Sequence, residues 1–202
     1  MKKILTATLV VLCLGTAAFS QSKGTTDFGV TVGYNAATVT SGNLTNSDYR
    51  SGFNAGVSVE HYFSDSWSFK GRLIYDQKGW NSGYIATGTS TTTTNYQLDY
   101  LTVPLFANWH FGRTKNWYLN FGPYVGFLLS ASETAGGRDV KSFFNSTDGG
   151  LGLGIGVKFP VSDKSKFFIE ANGQGGVTDL GNGNSGSTVK SSVSAINIGF
   201  TF

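Results

Sequence analysis

The sequence predicts an all-β fold, an eight-stranded antiparallel up-and-down transmembrane β-barrel. Three observations predict it. Apolar residues alternate with small or polar ones through most of the chain, which is the period of a strand, and helix-period patterns are absent. The connections between alternating segments are short and long in strict turn, and aromatic residues flank every short one. The last seven residues, Ile196 to Phe202, also alternate and finish on a bare aromatic, like the closing strand of an outer-membrane barrel.

The N-terminal residues read as a secretory signal peptide. Met1-Lys2-Lys3 is basic, and Ile4 to Leu14 is an apolar run too short to span a bilayer stably. Ala18-Phe19-Ser20 is a small-x-small cleavage site before Gln21. Cleavage between Ser20 and Gln21 divides the chain into a leader, 1–20, and a single barrel domain, 21–202. It removes Cys13, the one cysteine, and so excludes disulfides and thiolate metal sites from the mature chain. It also removes Lys2 and Lys3, which lowers the net charge from +3 to +1. That balance is no nucleic-acid footprint. No folded periplasmic module is expected, because Gln21 to Asp27 is too short for one and the terminal strand closes the domain.

Eight strands follow in order. The first, about Asp27 to Ala37, sets Phe28, Val30, Val32 and Tyr34 on one face. The second, about Gly52 to Phe63, sets Phe53, Val57, Val59 and Phe63 against Asn54, Ser58 and Glu60. The third, about Trp67 to Gly79, sets Trp67, Phe69, Leu73 and Tyr75 against Lys70, Arg72, Asp76 and Lys78. The fourth, about Tyr96 to Phe111, shows Leu101, Val103, Leu105 and Trp109 opposite Thr102, Asn108 and His110. The fifth, Trp117 to Ser130, has Leu119, Phe121, Val125 and Phe127 on one side. In the sixth, Leu151, Leu153, Ile155, Val157 and Phe159 alternate with Gly150, Gly152, Gly154, Gly156 and Lys158. The seventh, Phe167 to Val177, sets Phe167, Ile169 and Ala171 against Glu170, Asn172 and Gln174. The terminal strand is the eighth.

The short connections are Ser64-Asp65-Ser66, Gly112 to Asn116, and Pro160 to Lys166. Their parity makes them periplasmic turns and the long connections extracellular loops. Phe63, Trp67, Trp109, Phe111, Trp117, Phe159 and Phe167 flank the short turns, and Phe202 joins them in an interfacial girdle. A looser second ring at the far ends takes Tyr34, Tyr75, Trp80 and Tyr96. A secreted lipocalin-like barrel would place the polar face in water. Here that face is too glycine-rich and too lightly charged to make a good water surface.

An eight-stranded barrel has an interior just wide enough for side chains to fill. Inward Glu60, Lys70, Arg72, Asp76, Lys78, Lys158 and Glu170 must therefore meet and pair, forming a lumen charge network. The alternative is a narrow ion or proton path. The strand-six glycines make room for bulky neighbours such as Tyr100, Phe106 and Tyr124. They are not a phosphate loop, since the Lys-Ser/Thr pair is missing. His61 points to the apolar face and His110 to the lumen, both near short turns. No catalytic, cofactor-binding or metal-ligating set emerges. The long loops remain. Asn81 to Thr94 is uncharged and threonine-rich, and reads as a flexible, solvated, β-prone hairpin tip. Ser132 to Asn145 carries Glu133, Arg138, Asp139 and Lys141.

Three segments also carry a family resemblance. Phe28-Gly29-Val30-Thr31-Val32-Gly33-Tyr34-Asn35, Leu73-Ile74-Tyr75-Asp76-Gln77-Lys78-Gly79 and Asp99-Tyr100-Leu101-Thr102-Val103-Pro104-Leu105 resemble the first, third and fourth strands of the PorT-type outer-membrane β-barrel family. Thr102 stands where that pattern usually has Glu. The resemblance implies a small barrel in the outer membrane of a Gram-negative bacterium, in a family whose name-giving branch is linked to protein secretion. Resemblance to other outer-membrane barrels implies that Phe202 belongs to the signal read by the barrel-insertion machinery. The expected partners are outer-membrane lipid, that machinery and a surface ligand of the loops, such as a glycan, phage or host molecule; no cofactor is expected. The expected function is a non-enzymatic structural or interaction role through those loops. A narrow channel, or a subunit of an export assembly, is the alternative.

Overall fold

The computed structural model describes residues 23–41, 47–87, 90–182 and 188–202. The expected leader, its expected cleavage site between Ser20 and Gln21, and Cys13 lie outside the described residues. The strands are β1 (Thr26–Ser41), β2 (Arg50–Ser64), β3 (Trp67–Thr87), β4 (Ser90–Phe111), β5 (Trp117–Glu133), β6 (Thr147–Pro160), β7 (Lys166–Gly176) and β8 (Val189–Thr201). Each pairs antiparallel with the next, and β8 pairs with β1 from Gly29↔Thr201 to Ser41↔Val189, so the barrel is closed. Closure leaves no free sheet edge around the wall, which a strand needs in lipid, where no water can satisfy backbone groups.

The two faces of each strand differ in kind. Outward positions carry large apolar side chains, among them Phe28, Phe69, Leu105, Leu151 and Ile196, each at least 60% exposed. Inward positions are buried and largely polar or charged. That is the reverse of a water-soluble barrel and matches a wall whose outside faces lipid. On β6 the inward glycines are held to their size by facing side chains. A methyl at Gly152 would lie 2.7 Å from the Phe106 ring, and one at Gly150 would lie 2.7 Å from the Tyr124 ring.

Two expectations are corrected. The flanking strands do not stop at about Gly79 and Tyr96, on either side of the hairpin segment Asn81 to Thr94. β3 and β4 continue through it as a paired arm, from Gly83↔Thr94 to Thr87↔Ser90, beyond a bulge between Trp80 and Gly83. Its β-branched threonines favour the extended chain. Trp80 and Tyr96 do not join an outer aromatic ring. They are even-numbered on strands whose even positions face inward, and both are buried. With Val39, Leu98, Leu128, Val140 and Leu180 they form an apolar plug at the extracellular end of the lumen. The Trp80 and Tyr96 ring centroids lie 4.5 Å apart, and Phe144 packs edge-on against both. The loops that supply Val140, Phe144 and Leu180 are tied together above it. Asn145 Nδ2 donates to the Asp179 and Gly181 carbonyls at 2.9 and 3.0 Å.

Candidate functional site

The lumen beneath the plug is a stack of ion pairs in three tiers. The tier nearest the short turns centres on Glu60. Its Oε1 accepts from Ser68 Oγ at 2.6 Å, Asn108 Nδ2 at 2.9 Å and His110 Nε2 at 3.1 Å. Its Oε2 accepts from Lys158 Nζ at 2.8 Å, and Lys158 also donates to the Tyr62 hydroxyl at 2.5 Å. Lys70 Nζ stands 3.8 Å from Glu60, between the rings of Tyr118 and Phe168. In the middle tier Arg72 grips Glu170 with both guanidinium arms, Nη1 to Oε1 at 2.7 Å and Nη2 to Oε2. Tyr118, Asn120 and Asn172 complete that carboxylate. In the outer tier Lys78 Nζ bonds Asp148 at 2.9 Å and lies 3.7 Å from Asp76. Asn35 and Thr102 donate to Asp76, and Ser191 donates to Asp148.

All seven charged residues singled out from the sequence face the lumen, each less than 5% exposed. Asp148 is the one the sequence reading missed. It precedes Gly150 by two residues, so the inward parity of β6 could have found it. With Asp148 counted, four acids (Glu60, Asp76, Asp148, Glu170) meet four bases (Lys70, Arg72, Lys78, Lys158) in the sealed interior. Asp27 and Lys166, paired at 3.1 Å and partly exposed, lie at the short-turn end of the stack.

Ser68, His110 and Glu60 are the residue types of a hydrolytic triad, but their geometry is not one. Serine and carboxylate both meet the same ring nitrogen, His110 Nε2. A triad needs the acid on the other nitrogen, to orient the base toward the nucleophile. All three are also fully buried. Among the described residues no group of His, Cys, Asp and Glu is placed to hold a metal ion. His61 faces outward, its Nδ1 2.9 Å from Thr26 Oγ1.

Aromatic residues gather on the outer wall at the short-turn end. Trp67 stacks on Trp109, which meets Phe111, which in turn meets Trp117. Phe159 stacks on Phe167, and Phe63 packs against Phe69. Phe202 is exposed beside Phe28, with which it exchanges two backbone hydrogen bonds.

At the opposite rim Glu133 closes a tight turn. It lies beyond Leu129, the last outward apolar residue of β5, and so above the lipid-facing band. Its carboxylate accepts from Arg138 Nε at 3.0 Å, Thr94 Oγ1 at 2.8 Å, and the backbone N–H groups of Ala135 and Gly136 at 2.7 and 2.9 Å. The Arg138 hydrogen bond, then Thr94 and the two amides, hold its carboxyl down at about 2 against the opposing effect of desolvation.

Comparison with known proteins agrees with this architecture. OprG of Pseudomonas aeruginosa is 16% identical with a TM-score of 0.54, over 91% of this chain and 99% of its own. Neisserial surface protein A is 18% identical with a TM-score of 0.51, over 87% and 97%. Ail of Yersinia pestis, solved with the heparin analogue sucrose octasulfate, is 16% identical with a TM-score of 0.50, over 89% and 99%. At such identities the likeness is one of fold. No curated protein matches the sequence. The family model described as outer membrane protein beta-barrel domain matches residues 19–182. The chain therefore belongs to the outer membrane protein β-barrel domain family, and it is a barrel of the outer membrane.

Proposed function

We propose that this barrel is a non-conducting, non-enzymatic scaffold that acts through the surface it presents at its extracellular end. The observation that carries the reading is the filled lumen. Three ion-pair tiers and an apolar plug follow one another along it, and an ion entering would have to break them without replacement hydration. What is left to make contact is the rim. The β3–β4 arm is uncharged from Asn81 to Asn95, and Tyr49, Tyr84 and Phe143 are half or more exposed in the extracellular part of the chain. Ail in complex with a heparin analogue is a barrel of this fold holding a ligand, which supports ligand contact as a use of the fold. The outward aromatic cluster at the short-turn end supports reading it as an interfacial girdle.

The second reading is a narrow channel or a subunit of an export assembly. Planar-bilayer recording on the purified barrel separates a scaffold from a channel. No steps above baseline are expected. A steady, discrete single-channel current would overturn the proposal.

A further inference from the structure

Most polar atoms of the lumen are paired, and Lys70 is the charged exception. Its Nζ is buried, and no acceptor among the described residues lies within hydrogen-bond distance of it. Glu60 Oε2 is 3.8 Å away and already accepts from Lys158 at 2.8 Å. The faces of the Tyr118 and Phe168 rings, with centroids 5.3 and 5.0 Å from Nζ, attract the charge but offer it no oxygen.

Acceptors without donors stand on the same two tiers. Asn108 and Asn120 are opposite each other on β4 and β5, and both are fully buried. Asn108 Nδ2 donates to Glu60, in the tier nearest the short turns, and Asn120 Nδ2 donates to Glu170, in the middle tier. Each carboxylate accepts from an NH2 group and so fixes which end of its amide is oxygen. Both Oδ1 atoms are buried without a partner among the described residues. A sealed interior makes such groups costly, whether donor or acceptor, and an unpartnered ammonium most of all.

We infer that Lys70 holds an ordered water, which accepts from Nζ and donates to the Asn108 and Asn120 oxygens. It joins the tier nearest the short turns and the middle tier into one hydrogen-bonded network. The chemistry of the three groups selects the ligand. A halide would serve the lysine and leave the amide oxygens bare. A metal cation would serve the oxygens and be repelled by Lys70 and Arg72. The four acids and four bases of the lumen leave it without net charge, so an ion of either sign would stand uncompensated there. Water is neutral, is both donor and acceptor, and commonly has three polar partners when buried. One water held by three groups is not a hydration shell, so the lumen stays closed to ions.

A crystal structure of the full chain grown from sodium bromide, resolving ordered solvent, tests the site. One peak is expected about 3 Å from Lys70 Nζ and from both Oδ1 atoms, with no anomalous signal at the bromine edge. A bromine signal there assigns an anion and overturns the water. Absence of a peak, or a Lys70 that bonds Glu60 or Glu170 directly, overturns the site. Solid-state NMR in lipid bilayers gives a second readout, magnetisation transfer from water to the Asn108 and Asn120 side-chain amides. Lys70→Met removes the donor and leaves Glu60 its bond from Lys158, and the transfer should be lost. Heat-modifiable gel migration reports whether the variant is still a barrel. Transfer absent in the parent overturns the water, and transfer unchanged in the folded variant overturns the role of the lysine. If the variant does not fold, the parent crystal decides.

Discussion

Arg72 on β3 and Glu170 on β7 stand on opposite walls, so their two-armed ion pair ties the barrel across its lumen. Glu60 on β2 and Lys158 on β6 make the same kind of cross-tie nearer the short turns. Such pairs are weak evidence of net stabilisation, because each ion has left water, but removing one partner strands the other. Arg72→Met leaves Glu170 buried beside Tyr118, Asn120 and Asn172 with no hydrogen-bonded cation. A loss of about 3–5 kcal/mol is expected for it. Arg72→Met with Glu170→Leu, which removes both charges, should recover most of that loss. Urea unfolding in lipid vesicles, followed by gel mobility, measures both. A single variant as stable as the parent would show that the cross-tie does not carry its charge as described.

Among the elements, β5 ends in a clamp. Glu133 draws the start of the β5–β6 connection back onto the strand through Ala135, Gly136 and Arg138. The sign of its pH dependence follows from a carboxyl held at about 2, well below its ordinary value of 4.5. The depressed group contributes fully above pH 4.5, and its contribution is lost as the pH falls through 2. A carbon-13 titration of the Glu133 carboxyl should give a midpoint near 2, with the Ala135 and Gly136 amides protected from pH 7 to 4 and losing protection below. A midpoint near 4.5 would remove the clamp. The element scale is also where the sequence is most and least legible. Alternation with period two gives the facing of the strands without any tertiary information, because a strand's side chains have only two directions. Continuing that parity one residue past Gly79 turns Trp80 inward, whereas aromatic character alone assigns it to lipid. How far β3 and β4 run into their hairpin is hidden for a different reason: Thr89 to Thr94 has neither an apolar face nor a turn signal to mark where strand gives way to tip. Glu133 looks like a loop charge because its partners come from the turn it folds and from Thr94 on the neighbouring strand. The cross-lumen partners are not legible at all. Pairing Arg72 with Glu170 requires the ring to close with β3 opposite β7, and inward parity alone does not choose among four acids.

For the molecule as a whole, the plug and the ion-pair stack are two barriers in series, built by different chemistry and supplied by different parts of the chain. The plug depends on loop residues, Val140, Phe144 and Leu180, packed over Trp80 and Tyr96. The stack depends on strand residues held in register by the closed sheet. Barriers in series predict that opening one leaves the path shut. Phe144→Ser with Leu180→Ser should wet the outer mouth and leave a planar bilayer silent, because an ion would still face the filled tiers of Arg72–Glu170 and Glu60–Lys158. Arg72→Ala with Glu170→Ala clears the middle tier without stranding a charge, and should also be silent beneath an intact plug. The combination of all four substitutions, in protein that still shows heat-modifiable migration, is expected to stay silent as well, because the Glu60–Lys158 and Lys78–Asp148 tiers remain filled. A current through the loop variant alone would mean that ions can thread the charged tiers, and the lumen would then be a gated path with the plug as its gate.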